Sequence, residues 1–247
     1  QSDFAIEYAV RPSGGSFGAE GAIFTDTNTE PQFPSLAVSP VDGSVHCVYA
    51  ENDSQNGLQY SQGTESGGWT WETPERPGTD GGGCCANAST ITVDASGWVH
   101  TAWIAWRNTG GYSDLLYARR NPNGSWSNVR TMISEPDYFP CHASTDECNL
   151  AQIAVADTGA VMIVFANGGS ASEVFYLFRN PGMPWTDTPQ PLAFVDDNND
   201  SINDAIPQNY PVVITQGSTF HVLWSDGRGD IRHRAIESDP AAVAIPT

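Results

Sequence analysis

The chain has 247 residues, 39% of them hydrophobic, with 24 Gly and 17 Pro, enough to bury the core of one mid-sized domain. Its 29 acidic residues face 10 basic ones, all Arg, so the absence of Lys excludes a Schiff-base lysine, a pyridoxal phosphate anchor and a phosphate-loop lysine. A formal charge of −19 argues against a phosphate backbone as partner, and no apolar run approaches the roughly 20 residues that span a bilayer.

In chain order, the first element is a hairpin over 4–24, with Tyr8 central to one strand and Phe17 opening the next. Four repeats follow, at about 34–78, 88–134, 150–195 and 210–247. Each begins with a short apolar strand (A), then a turn such as Val41-Asp42-Gly43, then a second strand (B): Val45–Tyr49, Val99–Trp103, Val161–Phe165 and Phe220–Trp224. A third strand (C) centres on Tyr60, Tyr117, Tyr176 and His233, and Tyr8 belongs to the same series, with intervals of 52, 57, 59 and 57 residues. A Gly-containing turn then leads to an aromatic residue that opens a fourth strand (D), at Trp69, Trp126 and Trp185. Two independent markers share one register, and no helical periodicity appears. The pattern predicts an all-β fold, a single β-propeller domain over 1–247 with four four-stranded blades, five being the alternative count and a sandwich the alternative fold. The lone N-terminal hairpin is expected to complete the last blade, so that strands from both termini close the ring.

In that architecture the D-to-A connections and B–C turns emerge on one face, and they are the long, Asp-rich segments: 25–33, 79–87, 135–149 and 196–209, with 51–57, 106–113, 167–172 and 226–230. Binding residues cluster on such loops, which places the candidate site there. Carboxylates able to act as a general acid and base pair are Glu51, Asp80, Asp137 and Asp226. His142, beside Asp137 and Tyr138, offers a group that titrates near neutral pH. Trp106 with Arg107, Tyr138, and Arg228 with Asp226 can grip a sugar by stacking and hydrogen bonds. Alternate oxygen side chains at Asp196, Asn198, Asp200 and Asp204 suit Ca²⁺, although Ser201 stands where an EF-hand has Gly; a solvated acidic loop is the alternative. His46, His100 and His221 share one repeat position with Met162, which identifies it as a packing position. Cys141 and Cys148 bracket one loop and are expected to staple it; Cys84 and Cys85 are adjacent with undecided pairing, and Cys47 reads as a buried thiol. These cysteines fit a secreted protein, and a chain that opens on Gln1 without an initiator Met suggests that a signal peptide or other upstream sequence has been removed.

Segments such as Ile91–Trp103 and Thr219–Asp226 resemble blades of the sialidase-like propellers with bacterial-neuraminidase repeats. The turns at Asn121–Trp126 and Glu65–Trp69 keep the Gly and Trp of that family's Asp-box and lose its central Asp. The resemblance implies a propeller. It does not carry sialidase activity, because the family's three arginines and its Tyr/Glu pair have no motif match here. The sequence therefore predicts a secreted, lectin-like propeller for a neutral glycan or polysaccharide, Ca²⁺-assisted. A glycoside hydrolase or related polysaccharide-degrading enzyme on the same scaffold, or an interaction module of a larger assembly, are the alternatives.

Overall fold

A computed structural model describes residues 4–26, 30–51, 57–65, 68–78, 84–106, 113–133, 151–166, 173–186, 188–192, 208–226 and 229–238. The described residues hold no helix, hence none long and apolar enough to cross a membrane. They form five antiparallel sheets in chain order.

The first sheet pairs β1 (Phe4–Tyr8) with β2 (Gly21–Asp26). The second contains β3 (Pro31–Val38), β4 (Val45–Glu51), β5 (Leu58–Glu65) and β6 (Trp69–Trp71). The third contains β7 (Cys84–Val93), β8 (Val99–Trp106), β9 (Ser113–Arg120) and β10 (Arg130–Ile133). The fourth contains β11 (Gln152–Val155), β12 (Val161–Ala166), β13 (Val174–Arg179) and β14 (Gln190–Pro191). The last is three-stranded, β15 (Gln208–Gln216), β16 (Thr219–Asp226) and β17 (Ile231–Glu237).

Each sheet is a meander of neighbours in sequence. Two of the A–B turns place Gly43 and Gly97 at φ 74° and 80°, a region where a side chain is strained. What holds the sheets together is face-to-face burial, and the core divides into four clusters, one for each successive pair of sheets. Ile6 and Ile23 meet Cys47 and Tyr49; Val48 and Tyr60 meet Ile91 and Trp103; Ile104 and Leu115 meet Ile153 and Phe165; Met162 and Val164 meet Phe220 and Trp224. A B strand with a sheet on either side must be apolar on both faces. β12 is buried at every position, whereas β16, covered on one face, alternates between buried and partly exposed.

The two sequence markers meet across these interfaces. The C-strand tyrosine of one sheet packs against a tryptophan of the next: Tyr60 on Trp126 at 5.1 Å between ring centroids and Tyr117 on Trp185 at 5.0 Å, both edge-to-face, and Tyr8 on Trp71 at 5.6 Å. Only Trp69 opens its D strand as expected; Trp126 and Trp185 precede β10 and β14, where they face the neighbouring sheet. Their shared register is thus set by contacts between sheets.

Two expectations are corrected. The N-terminal hairpin was expected to complete the last blade, but β17 pairs with β16 as the third strand there, and among the described residues no pairing joins β1 or β2 to β15–β17. Ile6 and Ile23 bury against β4, which seats β1–β2 on the face of the sheet that follows it. Cys84–Cys85 belong to strand β7 and not to the loop before it.

Candidate functional site

Antiparallel register fixes which strand ends share a face: the start of every A strand lies beside the end of every B strand and the start of every C strand. At this loop end the repeat places related chemistry in different sheets. Glu51 and Asp226 both stand five residues after the B-strand histidine, and both are buried carboxylates. Each is held by the residue just before the C-strand Tyr or His. Gln59 Nε2 donates to Glu51 Oε2 at 2.9 Å, whereas Arg232 donates to Asp226 Oδ2 through Nε at 2.9 Å and Nη2 at 2.7 Å. Asp226 Oδ1 also accepts from the Asp230 amide at 3.0 Å, which closes the B–C turn. The donors thus differ in charge: Asp226 is bound by a guanidinium and the turn amide, and Glu51 takes a hydrogen bond from a neutral amide.

A second acidic series was not picked out from sequence. Asp114, Glu173 and Asp230 stand three residues before Tyr117, Tyr176 and His233, so an acid precedes or opens three C strands, with Gly57 at the fourth position. Asp114 is buried at the start of β9. Counting back from the C-strand marker would have found it.

The same end holds a strained backbone feature. Phe33, Ala88 and Tyr210 take φ values of 53°, 50° and 54°, each at a register shift in an A strand. They are equivalent repeat positions, in Gln32-Phe33-Pro34, Asn87-Ala88-Ser89 and Asn209-Tyr210-Pro211. A left-handed conformation is rare for bulky residues and is further opposed where Pro follows. Such bulges recur beside binding sites, where they re-aim side chains. Ser89 Oγ donates to the Phe33 carbonyl at 2.7 Å and so ties two sheets together at this end.

The opposite end is structural. The Ser44 hydroxyl donates to Asp42 Oδ1 at 2.7 Å, so its oxygen accepts from His46 Nε2 at 3.0 Å, and His46 Nδ1 accepts from the Tyr60 hydroxyl at 2.6 Å. Both ring nitrogens are satisfied by the neutral form. Burial, aided by the Arg120 charge and opposed by Asp42, lowers the His46 pKa to about 4. The next sheet repeats the arrangement: His100 Nδ1 lies 2.7 Å from Tyr117 Oη and Nε2 3.4 Å from Asp94 Oδ2. Burial also lowers the His100 pKa, against the pull of Asp94. Met162 replaces this histidine in the fourth sheet, and in the last His221 Nδ1 lies 3.1 Å from His233 Nε2.

Of the residues singled out from sequence, Glu51 and Asp226 are brought to the loop end. Trp106 ends β8 there, with its side chain outside the described residues. Arg107, Asp137, Tyr138, His142 and Arg228 lie outside the described residues, as do Asp80, Cys141 and Cys148 and the expected Ca²⁺ ligands Asp196, Asn198, Asp200 and Asp204. Cys47 is a buried free thiol whose pKa burial raises to about 12.

No protein-family model and no curated protein matches the chain. Solved structures do. The chain resembles a Hadza microbial sialidase, Hz136, at 16% identity and TM-score 0.55, over 83% of this chain and 44% of that one. It resembles a Penicillium chrysogenum α-L-arabinanase at 9% identity and TM-score 0.59, over 97% and 68%, and a family PL25 ulvan lyase at 11% and 0.57, over 98% and 68%. The fold is that of a β-propeller. The chain spans less than half of the sialidase and about two thirds of the other two. At these identities the likeness concerns architecture, and activity must be argued from the site.

Proposed function

We propose that this protein is a secreted, carbohydrate-active propeller that takes a neutral glycan or polysaccharide at the loop end and cleaves it with carboxylates from that end. The observation that carries this reading is the set of buried carboxylates there, Glu51, Asp114 and Asp226, drawn from three sheets. Burying an ionisable group is costly, so three at one end of a scaffold whose opposite end buries neutral His–Tyr pairs is an unequal distribution that packing does not require. Glu51, whose Oε2 accepts from Gln59 Nε2, is our candidate for the general acid and Asp114 for the second carboxylate; glycoside hydrolysis needs such a pair about 5–10 Å apart. The excess negative charge favours neutral over polyanionic substrates. Proteins of similar fold include enzymes named for arabinan, ulvan and sialic acid chemistry, which supports a saccharide as ligand class.

Binding without cleavage is the second reading, favoured by the engagement of Asp226 in closing its own turn. Reducing-sugar release from a panel of neutral polysaccharides separates the two. Loss of at least 100-fold in Glu51→Gln and Asp114→Asn, with retained polysaccharide binding, is expected from a catalytic pair, on the order of a general acid–base contribution. Binding by the parent protein with no release from any polysaccharide would leave the lectin reading. Ca²⁺ at Asp196, Asn198, Asp200 and Asp204 belongs to this proposal; full binding after exhaustive chelation would remove it.

A further inference from the structure

Repeat positions that are covered between interior sheets are bare at the two ends of the array. Leu36 of β3 is 54% exposed, whereas its equivalents Ile91, Ile153 and Val213 are 6%, 5% and 6% exposed against the sheet that precedes them. Ile231 of β17 is 69% exposed, whereas Leu58, Leu115 and Val174 are 1%, 0% and 1% exposed against the sheet that follows them. Val38 on β3 and Tyr210, Val212 and Ile214 on β15 are also exposed, as large apolar side chains at the ends of an otherwise well-buried repeat. A face of this kind marks an interaction surface.

The strand inventory says what covers it. β1 pairs with β2 as a C strand pairs with D, and Ile6, Ile23 and Tyr8 cover β4 and β6, leaving the inner stripe of β3 open. In each four-stranded sheet the other edge of the C strand is occupied by B, as in β4–β5, β8–β9 and β12–β13. Their C strands also carry a D strand, which β17 lacks among the described residues. The uncovered faces, and the edges of β1 and β17 that are unpaired among the described residues, fit one D strand followed by one A–B hairpin, which is a consecutive segment of the repeat.

We propose that the β15–β17 face and the inner stripe of β3 together receive a polypeptide segment of blade-repeat sequence, its D strand pairing with β17 and its A–B hairpin pairing with β1. Full four-stranded sheets are too wide for the β3 side, because β1–β2 already occupies the outer strands there. The contacts continue the interface that recurs between the interior sheets: apolar A-strand residues against Tyr210, Val212 and Ile214 on one side and against Leu36 and Val38 on the other. This occupancy is independent of what the loop end binds.

The probes are the three D–A–B segments within this chain, residues 66–106, 121–166 and 180–226, supplied as separate polypeptides. At least one is expected to form a one-to-one complex by native mass spectrometry, to raise the melting midpoint by about 5 °C or more, and to abolish the fluorescence of a dye that reports exposed apolar surface. The variants Leu36→Asp and Val212→Asp alter exposed side chains, so each should melt within about 2 °C of the parent and lose the complex. Failure of all three probes to bind overturns the proposal, as does a complex that survives in both variants. A dimer of the chain alone that Val212→Asp dissociates overturns it as well, by assigning the face to a second copy.

Discussion

Replacing His46 by Met reproduces at one sheet the residue that the repeat already carries at Met162. At neutral pH the substitution removes hydrogen bonds to Ser44 and Tyr60, at a cost of about 1–2 kcal/mol. Its effect on acid sensitivity has the opposite sign. The His46 pKa is about 4 in the folded protein and about 6.5 in the unfolded chain. Between these values the unfolded state binds a proton that the native state does not, so stability is fully present above about 6.5 and declines as pH falls to 4. A separation of that size corresponds to about 3 kcal/mol lost across the window. Urea unfolding of parent and His46→Met at intervals from pH 7.5 to 4.5 measures it. The variant should be the less stable at pH 7.5, lose less stability on acidification, and draw level with the parent or surpass it near pH 4.5. Parallel curves across the window would show that His46 does not titrate on unfolding, and would refute the neutral, doubly hydrogen-bonded ring.

Three further outcomes follow from the packing. Trp185→Ala removes a buried indole that meets Tyr117 across two sheets, and should cost about 3–5 kcal/mol by chemical denaturation, far more than Trp69→Ala at a less buried D strand. Arg232→Met leaves the buried Asp226 carboxylate without its half-exposed guanidinium, and should destabilise by about 1–3 kcal/mol, with partial recovery in Arg232→Met combined with Asp226→Asn. Peptide mapping after alkylation at pH 8 should find Cys47 unmodified in the native protein and modified in urea, because the buried thiol is not ionised at that pH.

The fold was legible because its repeat is written in side chains that touch. Tyr60, Tyr117, Trp126 and Trp185 recur at fixed intervals since each tyrosine must meet the tryptophan of the next sheet, and a periodic contact leaves a periodic sequence. The packing role of His46 and His100 was legible for the same reason, as Met162 at the equivalent position signals burial and not chemistry. Glu51 and Asp226 could be selected by their place at a strand end, but Asp114 could not be told from a surface acid, since the burial of a carboxylate depends on a neighbouring sheet that no local pattern records. Phe33 and Tyr210 were missed because Pro after an aromatic residue suggests an extended backbone, and only the register shift reveals the left-handed turn.

The placement of β1–β2 was misjudged for an instructive reason. Counting strands gave a hairpin without a partner and a C strand without a successor, and joining them in one sheet satisfies the count. Strand order decides otherwise. Ile6 and Ile23 bury against Cys47 and Tyr49 of β4, and β17 already holds the position beside β16 that β1 was expected to fill. Covering an existing apolar face is favourable by about 25 cal/mol for each Å² removed from water, while edge hydrogen bonds exchange for bonds to water at little net gain. The hairpin therefore goes where the face is, and the uncovered stripe it leaves on β3 marks the width of what is still to be received.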